Sequence, residues 1–234
     1  SSVYMHIGEG SHEHRLLFSG DIKYEKSWLF DAAAGRFPKA DTLVIESTYG
    51  GPQDFQPNRT DATHEIQDLV KLAVSRSGKI FCPVFAVGRS QEVMLAIDQL
   101  FKSGDVTPIT VWLDGMISEA TAIHASHPDY LNRDLRKQVL RGGEENPFNS
   151  PWFKQVDSRE QRESILNDPS PCIVLATSGM MTGGPIMEYF KNWAPELNNT
   201  LCFVGYQASG TMGRRLQSCL LYTSDAADEL LCVD

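Results

Sequence analysis

Lys79-Ile-Phe-Cys-Pro-Val-Phe-Ala-Val-Gly-Arg-Ser-Gln-Glu92 passes from an apolar run through a glycine turn into a polar helical start. A run without polar alternation is the mark of a strand covered on both faces. Beyond it Val93, Ala96, Ile97, Leu100 and Phe101 recur at helical spacing, which predicts a helix over Ser90–Lys102 ended by Gly104. The unit is strand, tight turn, helix.

The same unit repeats outward from this stretch. Further strands are predicted at Ile109–Leu113, Cys172–Ala176 and Thr200–Val204. Helices are predicted over Asp61–Ser77, from the capping-box pair Ser158 and Gln161, and after Pro185. The alternation argues for an α/β fold with a largely parallel sheet. The first fifty residues read otherwise. Val3–Ile7 and Arg15–Phe18 flank a polar Gly8–His14 segment as in a hairpin, and Thr42–Ile45 is a further strand. A boundary is expected in the aperiodic Gly50–Pro57 stretch, giving a first domain of residues 1–51 and a second of 52–217.

Residues 218–234 are set apart. Cys219-Leu-Leu-Tyr-Thr-Ser-Asp-Ala-Ala-Asp-Glu229 resembles a translated transposase sequencing adapter, so this tail is expected to be non-native. It carries Asp225, Asp228, Glu229 and Asp234 and no Lys or Arg, so the net charge is −5 without it and −9 with it. An acidic chain binds nucleic acid only through a local basic groove or a metal site, because its bulk charge repels phosphate. No apolar run approaches the length that crosses a bilayer. Cys82, Cys172 and Cys202 lie far apart in apolar runs, as buried reduced thiols of a cytoplasmic protein do.

Two carboxylates end apolar strands. Leu16-Leu-Phe-Ser-Gly20 leads to Asp21, and Leu43-Val-Ile45 leads to Glu46. Strand ends are where α/β folds gather reactive groups, yet a turn-capping Asp and a Glu opening a surface loop fit the residues equally well. Three glycine-bearing loops follow strands and run into helices: Phe85–Glu92, Thr177–Pro185 and Gly205–Arg215. Their helix starts attract phosphate, and Arg89, Arg214 and Arg215 add local charge. None has Walker spacing. Among the histidines, His12-Glu13-His14 reads as a solvated turn, His6 as a half-buried neutral side chain, and His124 and His127 as residues at a helix end.

Phe18-Ser-Gly-Asp-Ile22 followed by Leu43-Val-Ile-Glu-Ser-Thr-Tyr-Gly50 resembles the fourth metallo-β-lactamase motif and motif A of β-CASP nucleases. Pro83–Glu92, Leu113-Asp-Gly-Met-Ile117, Ala176–Pro185 and Gly205–Arg215 resemble the β-CASP domain, nearest to archaeal and bacterial relatives of the cleavage and polyadenylation specificity factor nuclease subunit. The resemblance implies a partial metallo-β-lactamase domain followed by an inserted β-CASP α/β domain. It implies a zinc-dependent ribonuclease that hydrolyses RNA phosphodiester bonds in a groove between the two, with two Zn²⁺ in the intact protein. Asp21 matches the aspartate bridging the zinc ions, and Glu46 an acid behind a histidine ligand. Arg89, Ser178, Gly179, Arg214 and Arg215 match the edge facing single-stranded RNA. A homodimer of the intact protein is left open.

The other ligand motifs of the family are missing from these residues, and neither His6 nor His12 replaces them by alignment. The chain itself is therefore expected to be inactive and to hold no zinc tightly. Two rival readings stand beside the nuclease: an inactive β-CASP RNA-binding scaffold, and a small-molecule metallo-hydrolase.

Overall fold

The predicted strands assemble into two separate sheets in the computed structural model, which describes residues 2–9, 12–33, 35–52 and 58–220. The chain divides into two units, Ser1–Gln56 and Pro57–Asp234.

In the first unit β1 (Val3–Glu9) pairs antiparallel with β2 (His12–Phe18), with Val3 opposite Phe18 and Glu9 opposite His12. A short β3 (Thr42–Val44) runs parallel to β2, giving the order β1-β2-β3. The ladder reaches further into Gly8–His14 than the expected turn, so His12 and His14 are strand residues; Gly10 and Ser11 lie outside the described residues. His6 also departs from its expected half-burial. Its side chain is 53% exposed and its Nε2 lies 3.1 Å from Glu13. The register explains this, because His6 faces Arg15 and so has Glu13 as its diagonal neighbour on the same face.

The second unit opens with α1 (Arg59–Ser75), begun where the Asn58 side chain accepts from the Thr60 amide. Then come β4 (Ile80–Pro83), α2 (Arg89–Ser103), β5 (Thr110–Asp114), α3 (Ile117–Ser126) and α4 (Arg133–Arg141). They are followed by β6 (Phe153–Gln155), α5 (Arg159–Asn167), β7 (Cys172–Ala176), α6 (Ile186–Trp193), β8 (Thr200–Leu201) and α7 (Met212–Leu220). The sheet has the order β6-β5-β7-β4-β8, and every neighbouring pair is parallel. This is the α/β, largely parallel architecture expected. The fully buried residues of β4 and β7 are the unalternating apolar runs of the sequence.

Physical reasons attend each local outcome. Ser158 caps α5 by accepting from the Gln161 amide, as the capping pair predicts. Gly104 ends α2 at φ +80°, where a Cβ is disfavoured. α4 escaped prediction because among its nine residues only Leu135 and Val139 are buried, and β6 because three residues make no periodicity. α7 includes Cys219 and Leu220, so the first residues of the segment set apart continue a helix. Residues 221–234, which hold the rest of that segment, lie outside the described residues.

Among the described residues, Trp152 Nε1 and Gln207 Oε1 are buried side-chain atoms without a hydrogen-bond partner, whereas the buried Lys79 ammonium is matched. Lys79, at the start of β4, donates to the carbonyls of Asp168 and Ser170 and lies 5.0 Å from the centre of the Trp193 ring. Cys82, Cys172 and Cys202 are buried free thiols. The Cys202 thiol beside Cys82, together with burial, holds the Cys82 thiol well above the ordinary range, and burial pushes Cys172 up to about 11. Such thiols are poor nucleophiles.

Leu175 has no exposed surface in the central strand β7. Leu175→Ala is expected to cost about 3 kcal/mol of unfolding free energy, whereas Ser158→Ala at the α5 cap costs about 1 kcal/mol. Urea unfolding of the two variants checks the ranking.

Candidate functional site

In an all-parallel sheet every strand delivers its carboxyl end to one rim. β5 delivers Asp114, whose side chain is almost wholly buried. Arg162 on α5 grips it with two bonds, Nε to Oδ2 at 2.7 Å and an η nitrogen to Oδ1 at 2.8 Å. Tyr189 on α6 donates its hydroxyl to Oδ2 at 2.8 Å. A buried carboxylate is tolerable only with such partners. Burial first, then the Asp114 charge, hold the Tyr189 hydroxyl protonated, while the bond to Asp114 holds Arg162 charged. The Asp114 carbonyl also accepts from the Thr177 amide at 3.2 Å, which ties the ends of β5 and β7 together. At Gly115 φ is +94° and a Cβ would collide with the Thr177 hydroxyl, so glycine is required after Asp114.

The loop after β7 folds on itself. Ser178 Oγ accepts from the Thr182 amide at 2.9 Å and donates to the Gly183 carbonyl at 3.1 Å. The Ile186 amide returns to the Thr177 carbonyl at 3.0 Å, launching α6. Three loops are then laced together at this rim. A Cβ on Gly179 would sit 2.8 Å from a Phe85 ring carbon, so the loop after β4 packs directly on that glycine. Buried Gln207, from the segment after β8, donates to the Gly179 carbonyl at 2.8 Å. The Gly213 amide in α7 donates to the Met180 carbonyl at 3.3 Å. The loop after β4 is stiffened in turn by Gln91, whose Oε1 accepts from the Gly88 amide and whose Nε2 donates to the Ala86 carbonyl and to Thr121.

The predicted residues Arg89, Ser178, Gly179, Arg214 and Arg215 all lie on the segments that follow strands at this rim. Arg89 is less available than its sequence position implies, because its guanidinium lies 3.1 Å from Glu92. Arg214 and Arg215 are exposed in the first turn of α7, with no carboxylate at ion-pair distance among the described residues. Sequence reasoning did not find Arg162 and Tyr189. One signal pointed that way: an aspartate ending a buried apolar run demands a counter-charge.

In the first unit, Ser19 joins the two carboxylate-bearing segments. Its amide donates to the Val44 carbonyl at 2.9 Å, and its Oγ accepts from the Glu46 amide at 3.1 Å. Glu46 Oε2 accepts from the Thr48 amide at 2.9 Å and the Thr48 hydroxyl at 2.7 Å. These bonds, helped by the Ile22 amide, hold the Glu46 carboxyl below the usual carboxylate range. Glu46 is thus influenced by the backbone of Ile22, the residue that follows Asp21, while Asp21 itself is exposed. The histidines are engaged elsewhere, His6 with Glu13 and His14 with Thr42. Among the described residues no group of three or more His, Cys, Asp or Glu is placed to hold a metal ion. Asp21 alone does not fit a zinc pair, since each ion takes about four ligands.

A five-stranded parallel sheet with helices around it, carrying glycine-bearing, arginine-flanked loops on its carboxyl rim, defines an α/β domain of the kind that binds ligands at strand ends. The chain belongs to the β-CASP family: the Beta-Casp domain pattern matches residues 90–216. It is 53% identical over 214 residues to the transcription termination factor FttA of Methanosarcina mazei, covering 92% of this chain and 33% of that protein. The corresponding factor of Cenarchaeum symbiosum is 48% identical over 213 residues (91% of this chain, 33% of the relative), and that of Thermococcus kodakarensis 43% over 217 residues (93% and 33%). The chain spans about a third of the length of these curated relatives.

Three outcomes follow from the geometry. Arg162→Met, which strands the Asp114 charge, is expected to cost about 3 kcal/mol and to speed amide exchange at Thr177. Tyr189→Phe costs about 1 kcal/mol. Calorimetric melting with hydrogen exchange separates them. Thr48→Val is expected to raise the Glu46 pKa toward the ordinary carboxylate value, read from its side-chain carbon shift by NMR. Because the folded pKa is depressed, the stability Glu46 contributes is present above the unfolded carboxylate pKa and is lost as pH falls through the folded value.

Proposed function

We propose that this chain is the RNA-engaging part of a β-CASP ribonuclease that works in transcription termination, as the names of its relatives suggest. The observation that carries this reading is the laced rim of the second unit. Its loops from β4, β7 and β8 are fixed to one another, and Arg89, Arg214 and Arg215 stand on them. Arginines on a rigid, glycine-cleared rim suit a flexible phosphodiester chain, because backbone can approach phosphate closely and guanidinium binds it with two bonds. Confining these arginines to one rim also resolves the conflict with the acidic net charge of −9.

Hydrolysis of RNA phosphodiester bonds belongs to the longer protein in this proposal. There Asp21 would be a zinc ligand, with Glu46 orienting a neighbouring one, and the remaining ligands would come from elsewhere, since the described residues bring no such group together. The cellular setting is the cytoplasm, where buried thiols such as Cys82 and Cys202 remain reduced.

Fluorescence anisotropy with a labelled single-stranded RNA tests the binding half. The Arg214→Gln, Arg215→Gln double variant is expected to weaken binding across sequences and to reduce the slope of log affinity against log salt by about 1 for each phosphate contact removed. Unchanged affinity and slope sink the assignment of these residues. For the catalytic half, the full-length protein is expected to cleave the same RNA and its Asp21→Ala variant to leave it intact. Binding without cleavage by the unaltered full-length protein decides for a scaffold. The 234-residue chain, washed with chelator, is expected to hold less than one zinc per molecule by elemental analysis.

A further inference from the structure

Four large apolar side chains stand exposed around the same rim: Phe85 at 45%, Val87 at 66%, Met116 at 69% and Tyr206 at 42%. Scattered exposed apolar residues need no explanation, but a group gathered on one functional edge does. Phe85 and Tyr206 follow β4 and β8, which are neighbours in the sheet. Both rings belong to the laced loops. Phe85 abuts Gly179, and Gln207, next to Tyr206, donates to the Gly179 carbonyl. The two aromatics thus stand on backbone segments that are both tied to Gly179, a residue with no side chain.

The chemistry around them limits what could lie there. Arg214 and Arg215 supply positive charge in the helix that α7's Gly213 amide ties to the same loop. Exposed rings and arginines on loops of one rim suit a ligand that alternates flat apolar groups with negative charges, which is single-stranded nucleic acid. A duplex keeps its base faces covered and offers rings nothing to stack on. An apolar protein segment uses the rings but not the arginines.

We infer that Phe85 and Tyr206 form a stacking platform for unpaired bases of the RNA strand whose phosphates the rim arginines hold. The inference rests on the RNA-binding reading above and adds what that reading leaves open: the strand is gripped by its bases as well as its backbone, without a code for sequence. Gly179 has a defined part, since any side chain there collides with Phe85.

The test uses the full 234-residue chain and three labelled probes of equal length: a single-stranded RNA, the same backbone with abasic sites, and the RNA annealed to its complement. Unaltered protein is expected to bind the single strand about tenfold more tightly than the abasic probe, and more tightly than the duplex. Phe85→Leu and Tyr206→Leu each remove most of that preference, while Phe85→Tyr and Tyr206→Phe keep it. Thermal melting confirms that the leucine variants remain folded. A 2-aminopurine base in the strand is expected to lose fluorescence on binding the unaltered protein and not on binding the double leucine variant. RNA binding that is equal for the abasic probe, or untouched by both leucine variants, overturns the platform and leaves the arginine-based reading standing. No binding of any single strand overturns both.

Discussion

A carboxylate buried at a strand end must be neutralised by partners brought from elsewhere in the chain, and the second unit is organised around that demand. Asp114 is held in the sheet rim by the Arg162 fork and the Tyr189 hydroxyl. Meeting the demand positions α5 and α6 beside the end of β5. The Asp114 backbone carbonyl then receives Thr177, so the loop after β7 starts from a fixed point. From that loop the contacts spread to Phe85 through Gly179, to Gln207, and to α7 through Gly213. One electrostatic requirement thereby reaches each of the segments on which the proposed RNA contacts stand.

The small residues of the rim belong to the same logic. Gly115 lies against the Thr177 hydroxyl, Gly184 against the Thr177 carbonyl, and Gly213 against the Gln207 amide. Each clears space for a neighbour's polar group, so the loops approach one another more closely than side chains would allow. Rigidity here comes from absent side chains as much as from hydrogen bonds. A surface built this way loses little conformational entropy when a ligand settles on it.

What the sequence disclosed follows from how each signal is encoded. Strands β4 and β7 were legible because burial on both faces forces continuous apolar residues, and α2 because its buried stripe has helical period and a glycine stop. α4 and β6 were not, one being mostly polar and the other too short for any period. Asp21 and Glu46 in the first unit, and the loop arginines in the second, were singled out by motif order. Their engagement was hidden, since the Arg89–Glu92 pair and the Glu46–Thr48 bonds depend on side-chain reach. The Asp114–Arg162–Tyr189 cluster joins residues up to 75 positions apart, a distance no local pattern spans. His6 misled because alternation in a strand indicates a buried face only when something covers that face.

The sheet of the first unit has a practical side. Val3, Met5, Ile7, Leu43 and Ile45 are exposed, and β1 is an edge strand in the order β1-β2-β3. Open sheet edges bearing apolar side chains recruit other strands, which is the physical route to self-association and insoluble material. In handling this polypeptide, the first fifty or so residues are therefore where self-association is expected to begin. Charged substitutions at Val3 or Ile7 are the natural remedy, because they interrupt edge pairing without touching a buried side chain.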